Sequence, residues 1–71
     1  MGAFRFRLCL EDGSEIGPFE TVVGDWQVGD ELYDTGRRCF FRILDIVQDG
    51  TVPAGFDALF VVVPVQLGVF D

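Results

Sequence analysis

From Phe4 to Glu11 the side chains alternate without a break. Phe4, Phe6, Leu8 and Leu10 share one parity; Arg5, Arg7, Cys9 and Glu11 share the other. Such alternation fits a strand with one face in a core and the other in water. It recurs along the chain, and no window of about ten residues carries apolar side chains at three-and-four spacing. The expectation is an all-β chain without a long helix. Nine glycines among 71 residues fall between the apolar segments, where turns are needed.

Asp12-Gly13 predicts a two-residue hairpin turn, because both central positions of a type I′ turn need positive φ. That turn sets Glu11 opposite Ser14, Cys9 opposite Ile16, Phe6 opposite Phe19 and Arg5 opposite Glu20. An aromatic pair then lies inside and an opposite-charge pair outside. The second strand covers 15–23, with Gly17-Pro18 marking an edge or a bulge. A connection over 24–29 carries Trp26, and a third strand covers 30–34. Thr35-Gly36 as the next turn pairs Leu32 with Cys39 and Glu31 with Phe40.

The fourth strand covers 38–48. Its alternation breaks at Leu44-Asp45, where a bulge restores the pattern and bends the strand. After a loop over 49–57, the segment 58–65 is apolar on both parities. Leu59, Val61, Val63 and Val65 take one side; Ala58, Phe60 and Val62 take the other. A strand of that kind is covered twice or lies in an interface. Residues 67–71 form a short apolar tail. These elements predict one small domain over 1–71, a five-stranded, strongly bent, SH3-like partly open barrel built from two hairpins and a closing strand.

The run Trp26-x-x-Gly29-Asp30-Glu31 is followed by a glycine turn and by Phe41-Arg42-Ile43-Leu44-Asp45-Ile46-Val47. With the opening Phe-Arg-Phe-Arg-Leu-x-Leu-Glu-Asp-Gly, it resembles a group of short hypothetical proteins of high-GC bacteria. More loosely, the layout resembles SH3-like small barrels, which serve mostly as binding modules. The resemblance implies a fold and no catalytic residue, ligand or cofactor.

Twelve acidic residues face five basic ones, all arginine, for a net charge of −7. Histidine and lysine are absent, so no Ser-His or Cys-His pair exists and only the N-terminal amine could form a Schiff base. Without histidine, two cysteines make no ordinary zinc site. The chain is expected to be no enzyme and to hold no cofactor or metal. Asp25, Asp30, Glu31 and Asp34 gather near Trp26, but lack EF-hand spacing and read as a solvated edge. Cys9 reads as a small apolar filler rather than a thiol activated by Arg5 and Arg7, and Cys39 as core. The segment 58–65 is far short of the roughly 20 residues of a membrane helix. A cytoplasmic location with reduced thiols and no membrane contact is the expectation.

Residues of the hydrophobic class make up 49% of a chain too small to bury them all, so apolar surface remains for association. The sequence therefore predicts a non-catalytic protein-interaction module that self-associates as a dimer or binds another protein. Phe60, Val62, Leu67, Val69 and Phe70 are the candidate self-association residues. Trp26, Tyr33, Arg38, Phe40 and Arg42 form a candidate interaction surface. An alternative is an acidic antagonist that occupies a basic site on another protein. A third reading stacks single-stranded nucleic acid on the Tyr33–Arg42 stripe, against which the charge of −7 weighs.

Overall fold

The structure, a computed structural model, describes residues 3–65. It is all-β: five strands form one mixed sheet that curls through 226° into a half-barrel. The strands are β1 (Phe4–Leu10), β2 (Glu15–Thr21), β3 (Glu31–Asp34), β4 (Cys39–Val47) and β5 (Ala58–Val65). Their order across the sheet is β2-β1-β5-β4-β3. β5 thus lies at the centre, parallel to β1 and antiparallel to β4, and joins the two hairpins. The barrel stays open between β2 and β3.

The first hairpin has the expected pairs Phe6–Phe19 and Arg5–Glu20, but Cys9 faces Glu15 rather than Ile16. The turn holds three residues, not two. Gly13 N–H donates to the Leu10 carbonyl (3.0 Å), and Leu10 N–H donates to the Ser14 carbonyl (2.8 Å). Gly13, at φ 91°, takes the left-handed position that ends a three-residue hairpin loop. The added residue shifts the register by one, and a bulge at Ile16 shifts it back. Two opposite slips cancel, so every core side chain of the hairpin returns to its expected face.

The second hairpin pairs Leu32 with Phe41 and Tyr33 with Phe40, two residues away from the expected register. Four residues, 35–38, make its turn, and Arg38 adopts φ 56° there. A shift by two leaves each side chain on the same face, because the strand repeats every second residue. Leu44 is the bulged residue of β4: Ile43 pairs with Val62 and Asp45 with Val61. Ile46 then returns to the inner face, as the broken alternation required.

The concave side holds the core. Phe6, Leu8, Leu32, Phe41, Ile43, Ala58, Phe60 and Val62 are buried there. Phe60 and Val62, expected on a self-association face, are 1% and 0% exposed, because β5 is central and that side fills the half-barrel. Trp26, expected on an interaction surface, also packs inward. Its ring meets Phe19 and Phe60 edge-on, with centroids 6.0 and 6.4 Å away. Its indole N–H donates to the Val23 carbonyl at 2.8 Å. The connection over 22–30 therefore runs from one sheet edge to the other as a strap, with Trp26 as its peg.

A second tie joins the edges. Asp34, expected among the solvated carboxylates, is buried, because it shares the inner parity of Leu32. It accepts from the N–H groups of Gly36 (2.9 Å) and Arg37 (3.1 Å) and from Arg37 Nη1 (2.7 Å). Arg37 Nη2 donates across the gap to the Ile16 carbonyl on β2. Gly17 beside it is buried at φ 137°, and a Cβ there would stand 2.7 Å from Arg37 Nη2.

These contacts predict unequal glycine substitutions in thermal melts. Gly13→Ala costs about 1 kcal/mol, the backbone term alone, since nothing lies within 4 Å of its added methyl. Gly17→Ala costs at least about 2 kcal/mol, because the methyl also displaces the guanidinium. Asp34→Ala, which removes the acceptor of two turn N–H groups and frees the exposed Arg37 side chain, costs about 1–2 kcal/mol. Equal midpoints for the two glycine variants would contradict this account.

Candidate interaction face

The convex side of the sheet alternates with the core, so its composition follows from the same parity. Down its centre β5 presents Leu59, Val61, Val63 and Val65, all half-buried. On the β3–β4 flank Tyr33 and Phe40 face each other, with rings 4.8 Å apart, and Phe40 pairs in turn with Val65. The apolar spine thus continues into an aromatic pair.

Charges flank this spine in matched pairs. Arg5 meets Glu20 at 2.9 Å and Arg42 meets Glu31 at 2.8 Å, each directly across a strand pair. Arg7 pairs with Glu15. Asp45 is the remaining carboxylate of these strands on that side. Three guanidiniums against four carboxylates leave the convex face close to neutral, while the net charge of −7 belongs mostly to turns and loops. Exposed pairs of this kind contribute little stability, so their main effect is electrostatic balance.

The loop over 48–57 folds onto one end of the face. Phe56 lies beneath both Arg5 and Arg7, whose guanidinium carbons stand 5.0 and 5.2 Å from its ring centre. Asp57 clamps the backbone of Arg5: its N–H donates to the Arg5 carbonyl (2.7 Å), and its carboxylate accepts from the Arg5 N–H (2.8 Å). Beside this loop lies an open groove of about 210 Å³, lined by Arg7, Cys9, Gly13, Glu15, Pro53 and Leu59. No signal in the sequence marked Phe56 as a cover, since its neighbours Gly55 and Asp57 read as loop.

The candidate residues divide accordingly. Tyr33, Phe40 and Arg42 share the convex face. Arg38 sits in the β3–β4 turn and Trp26 on the concave side, so the expected five-residue surface reduces to three. Arg42 is engaged by Glu31, which leaves the stripe without an uncompensated cation for a phosphate. Leu67, Val69 and Phe70 lie outside the described residues. Among the described residues, no three His, Cys, Asp or Glu side chains converge on a metal-sized site.

Cys9 and Cys39 carry free thiols on opposite faces of the sheet. Burial pushes the Cys9 thiol above its ordinary range; Arg7 beside it is already neutralised by Glu15. The Asp12 and Asp49 carboxylates are held below their usual range. The Asp12 carboxylate accepts from the Ser14 N–H, and the Asp49 carboxylate accepts from the Thr51 hydroxyl and N–H.

No family model, curated protein or solved structure matches this chain.

The thiol shift has a measurable consequence. A raised pKa lowers the thiolate fraction near neutrality, so Cys9 should alkylate more slowly in the folded protein than in the urea-unfolded chain at the same pH. Its contribution to stability is present below the ordinary thiol pKa and is lost as pH rises through the higher folded value. Mass spectrometry of iodoacetamide-treated protein checks this, and faster labelling of the folded state at Cys9 would contradict it.

Proposed function

We propose that this domain is a non-catalytic protein-interaction module that self-associates through the convex face of its sheet. The observation that carries the reading is the charge-balanced apolar spine. Leu59, Val61, Val63, Val65, Phe40 and Tyr33 form a continuous band, and Tyr33 is 43% exposed. A second copy meets that band with the same band, as two-fold pairing requires. Two sheets stacked face to face bury such side chains about 10 Å apart. Because cations and carboxylates are interleaved on the face, two copies approach without the repulsion that their net charge would otherwise impose.

The sheet edges are poorer docking sites. β2 carries Pro18, a bulge at Ile16 and an Ile16 carbonyl already taken by Arg37. β3 is four residues long and bears Glu31 and Asp34. Proline, bulges, charge and shortness are the features by which edges resist strand addition. Association through a face is what remains.

Light scattering after gel filtration should give twice the 7.9 kDa chain mass at low micromolar concentration, with the mass held in 1 M salt. Val63→Lys should give a folded monomer. A wild-type monomer at these concentrations overturns the reading, as does a Val63→Lys variant that still dimerises.

A further inference from the structure

The 22–30 strap has an inner side, where Trp26 is pegged into the core, and an outer side whose composition its fold does not require. Val22 is 79% exposed, Val28 60% and Val23 44%, and the adjoining Phe4 is 38% exposed. Phe4 belongs to the same surface: it pairs with Thr21, and its ring lies so close to Gly24 that a Cβ there would strike it. Three largely exposed valines stand in a segment otherwise made of Gly, Asp, Gln and the half-buried Trp26, and Val22 and Val28 gain little from folding. Apolar side chains left exposed along one short segment are a mark of contact sites.

The strap is also held in place. Val23 N–H donates to Thr21 Oγ1 (3.1 Å), and Gln27 N–H donates to the Asp30 carboxylate (2.9 Å). Asp30 N–H donates to the Gln27 carbonyl (3.0 Å), Gly29 N–H to the Ile43 carbonyl (2.8 Å), and Ile43 N–H to the Asp30 carbonyl (2.8 Å). With its backbone fixed at both ends and its centre pegged by Trp26, the strap presents its valines without an ordering cost at binding.

Its electrostatics name the partner. The strap carries Asp25 and Asp30 and no cation, and the whole stretch from 8 to 36 contains no basic residue. Asp30 is occupied with Gln27, whereas Asp25 is exposed and makes no hydrogen bond or ion pair among the described residues. We infer that the outer side of the strap, Phe4, Val22, Val23 and Val28 with Asp25, docks a basic amphipathic segment of another protein. Apolar side chains of that segment seat on the valines, and its Lys or Arg groups face Asp25. This surface lies on the concave side, away from the proposed self-association face, and does not depend on it.

The test uses a short synthetic peptide alternating leucine and lysine, with a leucine–glutamate peptide as control. The single tryptophan, Trp26 at the centre of the strap, reports binding by its emission. Amide shifts of 15N-labelled protein locate the site. The lysine peptide should bind, with the largest shifts at residues 22–30 and with affinity falling as salt rises. Val22→Ser/Val28→Ser and Asp25→Arg should each weaken binding about tenfold. Both variants should keep the wild-type melting curve and the wild-type mass in light scattering, since neither touches the core or the convex face.

The proposal is overturned if the glutamate peptide binds equally well, if the shifts map to the convex face, or if both variants bind within about twofold of wild type. It is also overturned if the lysine peptide does not bind at low salt. Loss of the dimer in the wild type would instead count against self-association and leave the peptide result standing.

Discussion

The guanidinium of Arg37 holds together a sheet that does not close. β2 and β3 are the outermost strands, and the 226° curl brings them near without a ladder of hydrogen bonds between them. Among the described residues, Arg37 spans the gap by a hydrogen bond: fixed by the buried carboxylate of Asp34, it donates to the Ile16 carbonyl. The Ile16 bulge is what turns that carbonyl toward the gap, and Gly17 is what leaves room for the guanidinium. Asp34 is buried but the Arg37 side chain is 41% exposed, so the attraction itself adds little net stability. Its effect here is geometric. It sets the opening of the half-barrel and so sets how far the strap must reach to place Trp26 over Phe60.

Period-two parity made most of this legible. It put every core residue of β1, β3 and β4 on the correct face and located the β4 bulge at Leu44-Asp45, because a single break in alternation has one structural remedy. It tolerated a two-residue error in the β3–β4 register, since that error maps each face onto itself. Turn chemistry was less informative. Asp12-Gly13 is compatible with two- and three-residue loops, and only the Ile16 bulge, invisible to a count of apolar residues, reconciles the longer loop with the Phe6–Phe19 pair. Strand order was legible only at β2, where Gly17-Pro18 marks an edge or a bulge and the strand is both outermost and bulged. Nothing local distinguishes a closing strand from a central one, so Phe60 and Val62 read as spare surface when they are the middle of the core. Asp34 was missed for a related reason. Its inner parity was evident, but a carboxylate is expected inside only when its partner is known, and Arg37 became that partner through the turn.

The same geometry explains how a chain with a net charge of −7 keeps an approachable face. Three of its five arginines lie on the convex side, each opposite a glutamate, and the other two lie in the β3–β4 turn. Apart from Asp45 on β4, the described carboxylates without a cation partner fall to the turns, the 48–57 loop and the strap. Neutral sheet and acidic rim are consequences of where the strands place alternate residues. They separate two kinds of contact on one small body: a flat, self-complementary one and a charged, apolar-studded one.

That separation follows from the half-barrel itself. In a closed barrel the same parity would still turn Leu59, Val61, Val63 and Val65 outward, but no segment would be needed to cover an opening. An open sheet has two faces and needs something laid over the concave one. The strap over 22–30 supplies that cover with a single large ring, Trp26, which touches Phe19 and Phe60 and frees the rest of the segment from packing duty. Residues released in that way are ordinarily polar, because a connecting segment on the surface gains most from water. Val22, Val23 and Val28 are not, and the core offers no reason for them. A side chain that the fold neither buries nor requires is best explained by contact with something outside the fold.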